Sequence, residues 1–357
     1  MSRILYIILS DILPGSSNDG PSVRSNAILK EFELMDTDVD FIVGENAKER
    51  YEKFRKINSD KQYDYCYIES KVGVTRFYDT LIINSVKKKF QNIAVGLYYR
   101  DMYWAYNIQI SKGKIKNLFV PLVNKWFLRF ISKRVDVIFG QSKSFCKKLR
   151  TYVGNKCKIE VLPPGCENIS IKQNAKTGVI YVGEIDPVFS GIELLIEAMK
   201  LVNLKQKVPL NLVCRKHEFE KNEYIQRIAK EYDWLNVYHE TKETIHKIYN
   251  QSNLAVIPRY KDEYTKLCLP IKLFEYISYE LPIVAVDHGE VSNFIKKYQI
   301  GSISNGNPED FANKILEILN MSEEEIKLIK NNLKLCKEAN TWKTRVEKID
   351  KVLRTLH

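Results

Sequence analysis

The chain has 357 residues, 45% hydrophobic and 28% charged, a globular composition that excludes a disordered or low-complexity protein. Its length exceeds what one hydrophobic core usually serves and fits two domains. A net charge of +12 attracts anionic partners, but lysines and acids are spread together through the helical stretches and no nucleic-acid-binding pattern occurs, so nucleic acid is not an expected partner.

Arg3 to Leu9 reads as a first buried strand. It lacks a signal-peptide cleavage pattern, and no run of 18 apolar residues follows anywhere, so a cytoplasmic location is expected. A loop of small residues from Asp11 to Pro21 leads into helical spacing over Ser22 to Met35. This opening has no Gly-x-Gly-x-x-Gly, which argues against a nicotinamide-dinucleotide site. Strand patterns recur at 39–43, 63–68, 93–98 and 135–139 with helical segments between, as in a parallel, doubly wound sheet. The strand at 93–98 runs into YYRDMYWAYN, which places Arg100, Asp101, Tyr103 and Trp104 at a strand's carboxyl end. Lys112 to Arg134 interleaves cations with aromatic and aliphatic residues, a pattern that serves either packing on the sheet or contact with the inner membrane surface.

The strand ending at VLPPG (161–165) and the aperiodic stretch 169–177 predict an interdomain linker. A second strand series follows at 179–182, 210–214, 237–239, 254–258 and 283–286. After the first of these, Gly183 and Gly191 flank a turn that permits close backbone approach ahead of an amphipathic helix. The stretch from Leu269 to Asp287, LPIKLFEYISYELPIVAVD, combines a proline at a helix start, a short helix with Lys272 and Glu275, a Glu-Leu-Pro break and a buried strand. A helix N-terminus at the carboxyl edge of a parallel sheet suits a phosphate, and a carboxylate one turn later suits a ribose diol. The stretch therefore reads as a nucleotide-diphosphate site. Seven widely spaced cysteines without Cys-x-x-Cys or a His cluster predict reduced structural thiols, with no metal site and no cofactor.

The Pro-x-Lys-Leu-Phe-Glu-Tyr run followed by Pro-Ile-Val-Ala resembles the nucleotide-sugar signature of retaining GT-B glycosyltransferases of family 4, and the other landmarks recur in the expected order. The resemblance implies an α/β fold of two Rossmann-like doubly wound parallel-sheet domains facing across a cleft. Residues 1–168 would form the acceptor domain, 178–338 the nucleotide-sugar domain, and 339–357 a helix crossing back to the first. It implies metal-independent transfer of a hexose from a nucleotide-diphosphate sugar, UDP-sugar favoured, to a glycan, lipid-linked or glycoprotein acceptor in cell-surface glycan assembly, with retention.

By the same resemblance, Gly183, Ser190, Gly191, Pro270, Ile271, Lys272, Leu273 and Glu275 would bind the nucleotide sugar. Asp19, Gly20, Arg24, Tyr103 and Trp104 would approach sugar or acceptor. Asp101 and Arg100 occupy the place of the family's His-Asp catalytic pair, with the Asp kept and the His absent. The family's cationic clamp is also replaced, by Glu184 and Ser190, and Arg215 with Lys272 are the expected substitutes. An earlier motif Glu is Leu267 here, with Asp262 and Glu263 nearby. These departures leave two other readings open, a non-catalytic GT-B partner of another transferase and a nucleotide-sugar epimerase.

Overall fold

The structure, a computed structural model, describes residues 2–11, 20–35, 37–106, 108, 114–169, 178–187, 189–240 and 244–356. The chain divides into two compact units, Met1–Gly165 with Trp342–His357, and Cys166–Thr341. The stretch 170–177 expected as a linker lies outside the described residues.

The first unit alternates β1 (Ser2–Ile8), α1 (Gly20–Leu34), β2 (Thr37–Ile42), α2 (Ala47–Lys56), β3 (Tyr65–Glu69), α3 (Phe77–Lys89), β4 (Ala94–Tyr98), α4 (Lys114–Ile131), β5 (Val137–Gly140), α5 (Lys143–Val153) and β6 (Lys158–Val161). Its six strands pair in parallel in the order β2-β1-β3-β4-β5-β6. The strands β3, β4 and β5 are buried along their whole length, which is why they read as apolar runs, closed in β3 by Glu69, and not as alternation. Side-chain caps start two of the helices: Asn46 accepts from the Glu49 N–H and Ser142 from the Phe145 N–H.

The second unit runs β7 (Val179–Val182), α6 (Ile192–Lys205), β8 (Leu210–Val213), α7 (Lys216–Phe219), α8 (Glu223–Glu231), β9 (Leu235–Tyr238), α9 (His246–Gln251), β10 (Leu254–Ile257), α10 (Ile271–Ser278), β11 (Ile283–Val286), α11 (Gly289–Tyr298), β12 (Gly301–Ser304), α12 (Pro308–Leu319) and α13 (Glu323–Ala339). The parallel sheet has the order β12-β11-β10-β7-β8-β9. Val179 and Tyr181 feed the core on one face of it and Ile180 the core on the other. The last helix, α14 (Trp342–Arg354), returns to the first unit. There Trp342, Val346, Ile349 and Leu353 join a core with Ile4, Tyr67 and Phe139.

Strand order reverses once in each sheet, between β1 and β3 and between β7 and β10. At such a point the connections leave toward opposite faces, and a crevice opens at the carboxyl ends of the strands. Both candidate sites lie there. The strand β12 is absent from the sequence reading because Gly-Ser-Ile-Ser has neither alternation nor an apolar run; it is a sheet edge, where small polar residues are tolerated.

Candidate active site

At the reversal point of the second sheet, β7 and β10 lie side by side and their carboxyl ends lead into Gly183 and Arg259. The helix α10 begins just after Pro270, which sits at its cap with φ −72°, a position where a missing N–H removes no helical bond. The first turn of α10 carries Lys272 to the strand ends. Its Nζ lies 4.4 Å from the Tyr181 ring centroid, and a Cβ on Gly183 would stand only 3.3 Å from that Nζ. Burial, and then the neighbouring Arg259, push the Lys272 ammonium down to about 7, with Glu184 and Glu275 pulling the other way. Among the described residues neither half-buried cation, Lys272 or Arg259, forms a salt bridge.

Two glycines shape this corner. Gly183 has φ +142° and Gly191, the cap of α6, has φ +69°. A Cβ at Gly191 would come within 1.8 Å of the Pro258 carbonyl oxygen, so the start of α6 is seated directly on the backbone that aims Arg259. The Ser190 hydroxyl donates to the Asp186 carbonyl and accepts from the Ile192 N–H at 3.2 Å, and so is used inside the turn. Glu275 is half-buried: Tyr249, itself stacked on Tyr279 at 4.1 Å, donates to its Oε2 at 3.3 Å. Ile271 is partly exposed, and Leu273 is fully buried in the core, so only its backbone can face a ligand.

In the first sheet, the centre of the polar cluster is Glu69, fully buried at the end of β3. It accepts from the Arg24 Nε at 3.2 Å, the Ser25 hydroxyl at 2.7 Å, the Tyr67 hydroxyl at 3.4 Å, and Arg100. Arg24 also covers the Tyr98 ring at 3.6 Å. It is thus a buried, paired cation and not a residue of a surface turn. Arg100 pairs with Glu69 and not with its sequence neighbour Asp101, and its Nε is buried without a partner among the described residues.

Asp101 is buried. Its Oδ2 accepts from the Gly73 N–H at 3.3 Å, while Oδ1 has no partner among the described residues. Burial raises its carboxyl to about 6 against the opposing pull of the Gly73 and Tyr103 backbone N–H groups and Arg100. Tyr103 is half-buried at the start of a 3-10 turn. Trp104 is packed inside, donating to the Tyr99 hydroxyl at 3.0 Å and contacting the Tyr152 ring at 5.0 Å. Gly20 opens α1, and Asp19 lies outside the described residues.

Residues 167–335, the greater part of the second unit, match the family model of glycosyl transferases group 1. Solved structures with the same fold span the whole chain. A sucrose-phosphate synthase from Thermosynechococcus elongatus is 16% identical with a TM-score of 0.74, covering 100% of this chain and 99% of its own. A trehalose-6-phosphate protein from E. coli bound with UDP-2-fluoro glucose is 12% identical with a TM-score of 0.65, covering 99% of each chain. An α,α-trehalose-phosphate synthase (UDP-forming) from Burkholderia xenovorans in complex with glucose-6-phosphate is 10% identical with a TM-score of 0.64, covering 99% of this chain and 100% of its own. The chain has the GT-B fold, and the match to group 1 glycosyl transferases lies in its second unit. No curated protein sequence matches it.

Within this fold the departures from the family pattern acquire a geometry. Leu267, at the place of the earlier motif Glu, is buried. Asp262 is engaged in its own loop, where its Oδ1 accepts from the Tyr264 and Thr265 N–H groups at 2.9 Å each just ahead of the turn Thr265–Leu267. Glu263 is an exposed carboxylate 3.8 Å from Lys266. Arg215, expected as a clamp cation, is neutralised by Glu218 at 3.1 Å and Glu184 at 3.5 Å. The cation brought to Lys272 is Arg259, which the sequence reading missed. Its signal was a charged residue directly after the proline that ends a buried strand at the reversal point. Glu69 was missed as well, although a carboxylate closing the otherwise apolar YCYIE strand is the same kind of signal.

Proposed function

We propose that the transferase moves a sugar from a nucleotide-diphosphate sugar, a UDP-sugar in the first instance, onto an acceptor hydroxyl with retention of anomeric configuration. The observation that carries the donor half is the pair Lys272 and Arg259, two half-buried cations without a carboxylate bridge beside Gly183. Two uncompensated cations at a sheet's reversal point and a helix start require an anion, and a diphosphate supplies two adjacent ones. Glu275, one turn further along α10 with one carboxylate oxygen steadied by Tyr249, is placed to accept from a ribose diol. In the reaction the acceptor oxygen bonds to the anomeric carbon and the bond from that carbon to the leaving phosphate breaks. The acceptor's proton passes to the leaving phosphate, whose developing charge falls to Lys272, Arg259 and the first N–H groups of α10. Asp101, whose Oδ1 is otherwise unpartnered, would orient a hydroxyl of sugar or acceptor.

For the acceptor, a glycan on a lipid or protein carrier in cell-surface assembly is the first reading. A soluble sugar phosphate is the second, favoured by the glucose-6-phosphate held by one of the similar synthases. Calorimetry with UDP, GDP, ADP, CMP and their sugar conjugates tests the donor. One diphosphate series should bind, and Glu275→Ala should weaken it about tenfold, as expected for a lost hydrogen bond to a charged group. Absence of binding at millimolar ligand would overturn the enzymatic reading in favour of a non-catalytic partner protein. Sugar inversion without an acceptor would point to an epimerase.

A further inference from the structure

The mixing of acids and bases that holds for most of the chain fails between Met102 and Ile159, where Asp136 is the single acid. From Met102 to Val135 there is no Asp or Glu and there are seven Lys or Arg. The helix α4 lies within this stretch. Phe127, Leu128 and Ile131 bury one side of it. A helix packed on a sheet normally turns a polar face outward. This one turns out Phe119, Leu122, Val123 and Trp126, which are 56%, 61%, 41% and 57% exposed, with Trp126 stacked on Phe130 at 5.3 Å. Their spacing of i, i+3, i+4 and i+7 puts them in one stripe.

Lys125, Arg129 and Lys133 are exposed along the flank of that stripe and form no salt bridge among the described residues. A second copy of the chain would bring like charges together across a symmetric contact, and an uncharged apolar partner would leave them unmatched. An occupant that is apolar inside and anionic at its surface satisfies both sets. Val72, Val74 and Phe77, 37%, 38% and 71% exposed, follow β3, and α4 follows the adjacent parallel strand β4, so both apolar sets issue from the same carboxyl edge of the sheet.

We propose that the outer face of α4 is a membrane-docking surface, which lays Phe119, Leu122, Val123 and Trp126 into the interface of an anionic bilayer with Lys125, Arg129 and Lys133 at headgroup level. The helix does not cross the membrane: no helix among the described residues is long and apolar enough to do so. The surface is independent of the donor reading and would stand if that reading failed.

The test uses the full chain with vesicles of phosphatidylcholine alone and of phosphatidylcholine with 30% phosphatidylglycerol. Of the four tryptophans, Trp104, Trp234 and Trp342 are buried, so Trp126 reports on the surface by itself. Anionic vesicles should sediment with the protein, shift its emission to the blue and shield it from an aqueous quencher, and high salt should weaken all three effects. Leu122→Glu with Val123→Glu should lower partitioning at least tenfold with an unchanged melting temperature. Trp126→Phe should keep sedimentation and lose the spectral shift. Lys125→Gln and Arg129→Gln should each cost about five-fold, the equivalent of ~1 kcal/mol per cation near a charged surface. Failure to bind anionic vesicles, or binding unaffected by the Leu122/Val123 variant, overturns the proposal. So does a lipid-free dimer that this variant dissociates, which would make the occupant a second copy.

Discussion

Replacing Asp101 by Asn should make the protein more stable and less active at the same time. The carboxyl is buried, holds bonds from the Gly73 and Tyr103 N–H groups on one side, and has a bare Oδ1 on the other. Burial raises it from 3.8 to about 6. A shift of that size corresponds to about 3 kcal/mol of preference for the neutral form in the folded state. A carboxyl with a raised folded pKa binds its proton more tightly folded than unfolded. Its contribution to stability is therefore fully present below about pH 4, and is lost as pH rises through 6. At pH 7.5 the whole penalty acts on the wild type.

Asn keeps an acceptor for the two backbone bonds and carries no charge, so it should recover much of that energy, on the order of 1–3 kcal/mol. At about 2–4 °C per kcal/mol for a unit of this size, the melting temperature should rise by several degrees at pH 7.5. The gain should shrink through pH 6 and vanish near pH 4. Differential scanning fluorimetry across pH 4 to 8 on both proteins reads it directly, alongside turnover with the donor found by calorimetry. A variant that is less stable at pH 7.5, or a difference that is flat with pH, would refute the claim that Asp101 is a desolvated carboxyl held for function.

Arg259→Ala should weaken a nucleoside diphosphate by ten-fold or more and leave the corresponding nucleoside unaffected, whereas Arg215→Ala, whose cation Glu184 and Glu218 already neutralise, should change either by less than three-fold; titration calorimetry separates them. Gly191→Ala should cost several kcal/mol in chemical denaturation, because φ +69° is strained for Ala and its Cβ would meet the Pro258 carbonyl oxygen at 1.8 Å. Diphosphate affinity should be highest below pH 7 and fall as pH rises toward 9, by at most tenfold per unit. Binding an anion raises the Lys272 ammonium from about 7, so proton uptake on binding should appear as a calorimetric heat that varies with buffer and disappears in Lys272→Met.

The sheet strands were legible because parallel strands buried on both faces leave unbroken apolar runs, as in Ile283–Val286 and Val179–Val182, whose ends the sequence reading places where the structure has them. The start of α10 was legible for a related reason, since Pro270 fits only the first positions of a helix. Partnerships were not. Nothing local tells Arg100 to prefer Glu69, 31 residues upstream, to the adjacent Asp101; parallel pairing of β3 with β4 brings Glu69 level with Tyr98, two residues before Arg100. Trp104 illustrates the converse, an aromatic in a polar loop that looks available but is spent on Tyr99 and Tyr152. Arg259 was invisible as a site residue because its significance comes from the adjacency of β7 and β10, which have 71 residues between the end of one and the start of the other and meet only once the order of the sheet is known.

The two perturbed groups act on stability in opposite directions, and the contrast bears on how each site works. Asp101 favours the folded state when the medium is acidic. Lys272, depressed from 10.5 to about 7, favours it when the medium is alkaline, because its neutral amine is the form that burial tolerates. Near neutrality both groups keep a cost unrelieved, and neither cost is needed for folding: an Asn at the one and a Met at the other would fill the space without it. An anion at Lys272 cancels its cost by supplying the missing counter-charge, so the energy that the free protein forgoes returns as affinity for the diphosphate. A hydrogen-bond donor at the bare Oδ1 of Asp101 does the same for a sugar or acceptor hydroxyl. The donor ligand should therefore raise the melting temperature of the wild type more than that of Lys272→Met at pH 6.5, and the gap should close at pH 9, where the wild-type lysine is already neutral.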